Sequence, residues 1–429
     1  MPSPNQADGQ DFFEALAARL GGLLGRSRYG FAPLLGICLF FICRQDLLAA
    51  VHNSPWCQFT DLGLLALYIA SGPTRLEALC TAMAGVGLTW AIGFPATFAY
   101  PGGQVVTAGA YMGIAGVVAL VWRCPRDANA PRMLLRAFAF LGMGSCISQL
   151  LVLNSRVAAW KLDLYLYDLD LKLAGFAPSF ALAASRFQAY LRPTELLIYY
   201  ALPFATAAVY AGHIRRGGPR ATNFALIAIG NMLIGYCAYL FYPAAGPAYA
   251  FADVFPRMAP VVGGLHAVAI AAPANAMPSL HLSAALLIWW NSRHWRWARW
   301  LALAFLALTI LATIGLGEHY CMDLVVAVPY ALFIQALGTR RPLQITCLAT
   351  GLSMTVVWLV LLRYGFPLLT ASSLLLRMGA VATVCVPLWL GHGLLSEAVE
   401  LDVERRRQAA VVTCAERLPA HGECISPVL

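Results

Sequence analysis

Long apolar runs, separated by charged residues or by proline and glycine, dominate the hydrophobic pattern of this chain. The runs have no alternating water-facing side, and about 20 apolar residues cross a bilayer, so they predict membrane-spanning helices. Each apolar run between two such breaks is a candidate span, and the pattern predicts about 12 of them. They are residues 30–50, 56–72, 78–99, 104–122, 133–153, 194–212, 222–242, 278–292, 298–316, 322–338, 343–363 and 369–391.

The composition agrees with an all-α, polytopic integral membrane protein. Of 429 residues, 60% are apolar and 11% are charged, which is unusual for a soluble domain. The net charge of +9 would suit a nucleic-acid partner, but the basic residues lie in short loops, where membrane topology explains them. We therefore predict membrane lipids, and no nucleic acid, as partners. The 12 cysteines lack metal-ligand spacing, so we predict no metal site and no cofactor.

The arginines in the loops predict an orientation. If the spans alternate, four arginine-bearing loops fall on one side, and the positive-inside rule makes that side cytoplasmic. Both termini then lie in the cytoplasm, while loops 154–193 and 243–277 and the corner 317–321 face outward with His281 and His319. The arginines concerned are Arg123, Arg126, Arg132 and Arg136; Arg215, Arg216 and Arg220; Arg293, Arg296 and Arg299; and Arg340 and Arg341.

Two segments differ from the predicted spans. In 154–193, lysines and aspartates interleave with leucines and tyrosines, which predicts interfacial helices lying on the outer surface. Residues 394–429 are polar and charged, and they predict a loosely ordered cytoplasmic tail.

His319 and Asp323 lie at the edge of an apolar run, four residues apart. On a continuous helix their side chains point the same way. An aspartate beside an imidazole holds one ring nitrogen and raises the basicity of the other, as nucleophilic or general-base catalysis requires. The spacing fits equally well a histidine–carboxylate pair that only stabilises a helix corner.

Ser279 and His281 follow Pro278, a residue that suits the first turn of a helix. The N–H groups and the dipole of such a turn favour an anion, beside which His281 could donate a proton. An ordinary N-capping serine with an interfacial histidine is the alternative interpretation.

Taken together, the P-S-x-H and H-x-x-x-D motifs resemble those of the phosphatidic acid phosphatase type 2 superfamily. The resemblance covers roughly 133–338. It implies a six-helix bundle in which the motifs meet at one membrane face. It also implies that His319 is the nucleophile that forms a phosphohistidine, that Asp323 orients it and that His281 protonates the leaving oxygen. Ser279 would help to hold the phosphate.

The chain departs from the superfamily pattern where cations are usual. Ala312 and Thr313 replace a Ser-Arg pair, and Ser185 stands where a lysine is expected, with Arg186 one residue out of register. Phosphoryl transfer relies on positive groups facing the phosphate oxygens. A site with few cations suits a singly charged phosphodiester better than a dianionic monoester, which favours headgroup exchange over monoester cleavage.

A subgroup accommodates these departures. The P-S-L-H and H-Y-x-x-D motifs, Ala-Thr in place of Ser-Arg, and the stretch from Tyr242 to Tyr249 are similar to the inositol phosphorylceramide synthase-like branch. The resemblance implies transfer of a phosphorylated headgroup from a phospholipid to a lipid alcohol. Arg257 and Arg192 are candidate replacement cations, although contacts with lipid headgroups would explain them equally well. Tyr242 and Tyr249 are candidate substrate-binding residues, with an aromatic belt as the alternative for Tyr242.

These patterns divide the chain into four parts and leave three functions open. We predict an N-terminal membrane region of about four spans (1–130), a catalytic bundle with the interfacial helices (131–341), two C-terminal spans (342–393) and the tail (394–429). A lipid phosphotransferase is the leading hypothesis. A lipid phosphate phosphatase with water as acceptor would use the same residues, and a transporter or scaffold could retain the motifs without chemistry.

Overall fold

In the computed structural model, residues 54–93, 102–216 and 222–417 are described, and the chain is mostly helical (76%). The predicted span 30–50 and part of the span 78–99 lie outside these residues. The helices are α1 (Pro55–Ala70), α2 (Arg75–Ile92), α3 (Gly103–Arg123), α4 (Ala130–Val157), α5 (Asp163–Ala174), α6 (Pro178–Ala183), α7 (Gln188–Tyr200), α8 (Leu202–Arg216), α9 (Phe224–Phe241), α10 (Pro247–Ala250), α11 (Leu280–Ser292), α12 (Arg296–Gly315), α13 (Cys321–Leu337), α14 (Gln344–Tyr364), α15 (Phe366–Thr370) and α16 (Ser373–Arg417).

The multi-pass character is supported, whereas the count of 12 spans is not. Within the described residues, six helices are long and apolar enough to cross a membrane: α3, α4, α9, α12, α14 and the first part of α16. A seventh span results if α7 and α8, bent by 49°, are one broken span. Three other predicted spans are short helices, with 16 residues in α1, 13 in α11 and 17 in α13. These helices coincide closely with the predicted runs 56–72, 278–292 and 322–338, so the runs themselves are shorter than the roughly 20 residues that cross a bilayer.

Three of the arginine-bearing loops lie at one end of the bundle. Asn223 donates its N–H to the carbonyl of Gly338 at 2.7 Å, which joins the start of α9 to the end of α13. The ring of His213, near the end of α8, contacts His294 and Trp295 between α11 and α12. Because α11 and α13 both run towards this end, the residues at their N-termini lie together at the opposite end.

The central core packs α8, α9, α11, α12 and α13 closely. Trp290 on α11 and Tyr330 on α13 are almost fully buried in it. The α9–α11 contact depends on Gly235, where an added Cβ would lie 2.3 Å from the Leu280 side chain. Leu280, at the variable position of the P-S-x-H motif, therefore fills a groove in α9.

The segment 154–193 is more buried against the bundle than its charged residues suggest. Helix α5 has a largely buried face that includes the two carboxylates Asp163 and Asp170. Before it, Lys161 is buried and donates to the carbonyl of Ala158. Backbone groups supply hydrogen-bond partners to these three side chains, which permits their burial, whereas Asp168 and Lys172 pair at a partly exposed position.

Two smaller features also differ from the all-α prediction with a loose tail. Strands β1 (Trp160–Lys161) and β2 (Val268–Ala269) pair antiparallel, with Trp160 opposite Ala269. Helix α16 continues beyond the predicted span as far as Arg417, so this part of the tail is helical. Residues 418–429 lie outside the described residues.

Candidate active site

The His319–Asp323 pair forms just before and within the first turn of α13. His319 precedes the helix, Tyr320 is its N-cap, and Asp323 lies in the first turn. Asp323 Oδ2 accepts the N–H of Tyr320 at 2.8 Å and lies 3.4 Å from His319 Nδ1. The predicted pairing therefore occurs, although not on a continuous helix: the Asp323 side chain folds back over the helix start, as in a capping box.

Hydrogen bonding assigns the tautomer of a neutral His319 ring. Nδ1 lies 3.0 Å from the carbonyl oxygen of Ala276 and 3.4 Å from Asp323 Oδ2, and both of these oxygens are acceptors. Nδ1 must therefore carry the proton. The lone pair is then on Nε2, which is the arrangement that a nucleophilic imidazole needs.

Ser279 connects the starts of α11 and α13. Its hydroxyl oxygen accepts the N–H of Leu282 at 3.2 Å, so it is the N-cap of α11. Its own N–H donates to the Asp323 carbonyl at 3.2 Å. Ser279 is fully buried, and its hydroxyl hydrogen remains available for a donor role. The helix begins at Leu280, two residues after Pro278, so the proline lies outside the first turn predicted for it.

His281 lies on the first turn of α11, facing His319. The two ring centroids are 5.9 Å apart, a separation at which a phosphoryl group bound to one ring can be reached by the other. The His281 ring stacks on Tyr199 at 3.9 Å and contacts the edge of Trp56 at 5.8 Å. His281 Nε2 is buried and has no hydrogen-bond partner among the residues that the structure describes. An unpaired buried nitrogen is costly, which is typical of a group that meets its partner in substrate.

Two buried carboxylates on α5 hold the loops around this pair. Asp163 accepts the N–H groups of Ala245 and Gly246 and the hydroxyl of Tyr320, at 2.8–3.1 Å. Asp170 accepts the N–H groups of Cys321 and Met322 at 3.0 and 3.3 Å. A side chain of α5 therefore caps the N-terminus of α13. Burial raises the pKa of Asp163 to about 6 and that of Asp170 to about 8.

Glu318, immediately before the nucleophile candidate, is bound by two tyrosines. Tyr199 donates its hydroxyl to Oε2 at 3.2 Å, and Tyr249 donates to Oε1 at 3.1 Å. Burial raises the pKa of the Glu318 carboxyl, while the His319 ring and the two hydroxyls partly offset this effect. Since Tyr199 also stacks on His281, Glu318 is connected to both histidines.

The remaining sequence candidates lie in different surroundings. Arg192, on α7, and Arg257 are exposed. Tyr242 is completely buried, and its hydroxyl donates to the carbonyl of Leu162 at 3.5 Å. Tyr249 is 40% exposed and binds Glu318, as described above.

The positions where cations are usual are neutral and structural. Thr313 is fully buried; its hydroxyl donates to the Thr309 carbonyl, and its own carbonyl accepts the N–H groups of Glu318 and His319. Arg186 is exposed and stacks over its neighbour Phe187. Within the described residues, the side-chain partners of His319, Asp323 and Glu318 include no lysine or arginine.

An apolar cavity of about 520 Å³ extends from His281 into the bundle. Its wall is formed by α1, α4, α7, α8, α9 and α11, with Trp56 from α1 and Phe140 from α4 among the lining residues. The few polar side chains in the wall include Tyr199 and Asn275. A volume of this size lies in the range of small-molecule and cofactor sites.

Three functional candidates were missed in the sequence. Glu318 directly precedes His319, so the sequence shows that it lies near the site. The sequence does not show that two tyrosines donate hydrogen bonds to it. Asp163 and Asp170 are seven residues apart, two helical turns, and therefore lie on one face of α5. That spacing was the available signal, because carboxylates on a mainly apolar face require buried partners.

Comparison with known proteins agrees with this assembly. Residues 166–337 match the family model described as PAP2 superfamily. This segment runs from α5 to the end of α13 and contains both histidines and Asp323. No curated protein and no solved structure matches the chain. The match indicates a PAP2 domain in this part of the chain and a phosphatase or phosphotransferase type of activity.

Proposed function

We propose that the protein is a membrane lipid phosphotransferase that resembles inositol phosphorylceramide synthase. It moves a phosphorylated headgroup from a phospholipid to a lipid alcohol through a phosphohistidine at His319. The observation that carries the proposal is the pairing of an oriented His319 with His281, whose Nε2 has no partner in the described part of the chain. Asp323 positions the first ring, and Ser279 contributes a hydroxyl to the phosphate.

The reaction has two balanced halves. His319 Nε2 attacks phosphorus, the bond from phosphorus to the leaving oxygen breaks, and His281 donates a proton to that oxygen. The hydroxyl of the acceptor then attacks phosphorus, the phosphorus–nitrogen bond breaks, and His281 takes the hydroxyl proton. The protein's own groups suffice for both proton transfers.

The surroundings of the histidines support a phosphodiester lipid as donor. The polar side-chain contacts of His319, Asp323 and Glu318 are made to neutral or acidic groups, an arrangement that suits one negative charge better than two. Arg192 is the better placed of the two candidate cations, because it lies on α7, the helix whose Tyr199 donates to Glu318 and stacks on His281.

Trapping the covalent intermediate tests the proposal. The purified protein is mixed with phosphatidylinositol that is labelled in its phosphate. The reaction is stopped with alkali, because phosphohistidine is stable in alkali, and the protein is then digested for mass spectrometry. We expect the label on the peptide that contains His319, and its loss when a lipid alcohol is added before the quench. Turnover without any adduct would contradict the mechanism, and loss of label to water alone at an equal rate would favour a phosphatase.

The apolar cavity supports a lipid as the second substrate, and it gives a further prediction. Ala228, on α9, lines the cavity, whereas Leu226 on the same helix is 49% exposed on the outside. Ala228→Phe should raise KM for a long-chain alcohol acceptor about tenfold, because a phenyl ring occupies chain volume. A short-chain, water-soluble acceptor should be affected much less.

Leu226→Phe is the matched control, since it adds a similar ring to the lipid-facing side of α9. Kinetics for both acceptors are measured with both variants. Equal losses for long and short acceptors in Ala228→Phe would contradict a lipid-chain role for the cavity.

We also propose that the site opens to the outer face of the membrane, with both termini in the cytoplasm. Three of the four arginine-bearing loops lie at the end of the bundle away from the histidines, and positive loops remain inside. A reporter that is active only in the cytoplasm, fused after position 341, should be active. The same reporter inserted at position 264, in the loop before α11, should be inactive. The reverse result would place the site on the cytoplasmic face.

A further inference from the structure

Glu318 is the charged side chain nearest in sequence to the proposed nucleophile, and the reaction does not use it. Its carboxylate is joined through Tyr199 to the ring stack on His281 and is close enough to His319 to interact with its charge. A phosphoryl group between the two histidines would therefore react within reach of a negative charge.

Burial raises the pKa of the Glu318 carboxyl, but the hydrogen bonds it accepts favour the ionised form and offset part of this effect. Tyr199 and Tyr249 direct hydroxyl donors to both carboxylate oxygens, at 3.1–3.4 Å. Hydrogen bonds donated to the charged form of a carboxyl stabilise that form. Within the described residues, Glu318 has no arginine or lysine partner that would neutralise it.

We propose that Glu318 determines the charge class of the substrate: it disfavours dianionic phosphate monoesters and admits singly charged phosphodiesters. Coulomb repulsion is proportional to the product of the charges, so a dianion is penalised twice as much as a monoanion at the same distance. The inference rests on the proposed function. Among the described residues the site has no cation partner that would attract a dianion, and Glu318 would in addition repel one. Glu318 is a specificity-determining residue, and it takes no part in bond making.

Glu318→Gln is the direct test, because the amide has nearly the same shape and its oxygen can still accept from a tyrosine. The monoester is phosphatidic acid and the diester is phosphatidylinositol, with matched acyl chains at pH 8. The ratio of kcat/KM for the monoester to that for the diester should rise about tenfold, since one unit of charge repulsion is removed from the diester and two from the monoester.

Two variants control this measurement. Asp168→Asn removes a negative charge from α5, where Asp168 pairs with Lys172, and it should leave the ratio unchanged. Glu318→Ala removes the same charge as Glu318→Gln without an amide, and it should raise the ratio in the same direction. A ratio that stays constant in both Glu318 variants, or falls, overturns the inference.

Binding of small anions tests Glu318 independently of turnover. The probes are inorganic phosphate and dimethyl phosphate, added as competitors of covalent labelling or measured by calorimetry on the whole protein. At pH 8 the wild type should prefer dimethyl phosphate, and Glu318→Gln should reduce or reverse that preference by about tenfold. If His319 is labelled but Glu318→Gln leaves the anion preference unchanged, the role of Glu318 is refuted and the covalent mechanism stands. If the preference changes but His319 is not labelled, only the covalent mechanism is refuted.

Discussion

His319→Ala should reduce phosphotransfer by at least about a thousandfold, because it removes the atom that forms the covalent bond to phosphorus. The buried Asp323 carboxylate would remain, still accepting the N–H of Tyr320, so the start of α13 should be preserved. Initial rates with phosphatidylinositol and a lipid alcohol, together with thermal unfolding, measure the two effects separately.

Asp323→Asn should have a smaller effect than His319→Ala, about 10- to 100-fold on kcat. The carbonyl of Ala276 continues to accept from His319 Nδ1, so the productive tautomer survives the loss of the carboxylate charge. His319→Gln gives the matched control, since it retains polarity and size without a nucleophilic ring nitrogen. Appreciable turnover by His319→Ala, or unchanged kcat in Asp323→Asn, would contradict these roles.

Asp163→Ala should be the most destabilising substitution outside the histidine pair. It leaves the N–H groups of Ala245 and Gly246 and the hydroxyl of Tyr320 without their acceptor in a buried site. The cost is about 3 kcal/mol or more, from the loss of several hydrogen bonds to one buried charged group. Thermal unfolding in detergent, followed by tryptophan fluorescence, measures the change.

Asp168→Ala is the control on the same helix. Asp168 pairs with Lys172 four residues later, and a partly exposed pair of this kind contributes about 0.5 kcal/mol. A stability loss in Asp163→Ala no greater than that in Asp168→Ala would show that the buried carboxylate does not hold the loops together.

The pH dependence of this junction follows from the raised pKa of Asp163, about 6 against an ordinary value of 3.8. Because the folded pKa lies above the unfolded one, ionisation itself opposes folding as pH rises through that interval. Stability attributable to Asp163 should therefore fall between about pH 4 and 6 and then level off above pH 6, and Asp163→Asn should abolish this slope.

The grouping of the candidate residues was easier to predict from the sequence than the contacts that support it. The residues His281, His319 and Asp323 are brought together as expected, because each belongs to a short motif at the start of a helix. The expectation of one continuous helix through His319 and Asp323 was wrong, since His319 precedes the helix, which begins only at Cys321. Local spacing predicts which side chains meet, but a folded-back cap and a continuous helix give the same spacing.

The fold departs from the sequence prediction mainly at polar residues. Asp163 and Asp170 suggested a helix at the water interface, but N–H groups from loops more than 80 residues away are their partners. A window of neighbouring residues does not register such contacts. The count of 12 spans is unconfirmed, because α1, α11 and α13 coincide closely with their predicted runs but have only 16, 13 and 17 residues.

The contact of Trp56 with His281 has a consequence for dissecting the chain. Trp56 lies on α1, about 110 residues before the segment that matches the family model begins, and it also lines the cavity. An N-terminal truncation at the start of that segment would expose the His281 ring and open one wall of the cavity. We therefore expect the smallest unit that retains the proposed activity to be larger than residues 166–337, because α1 forms part of the cavity wall beside His281.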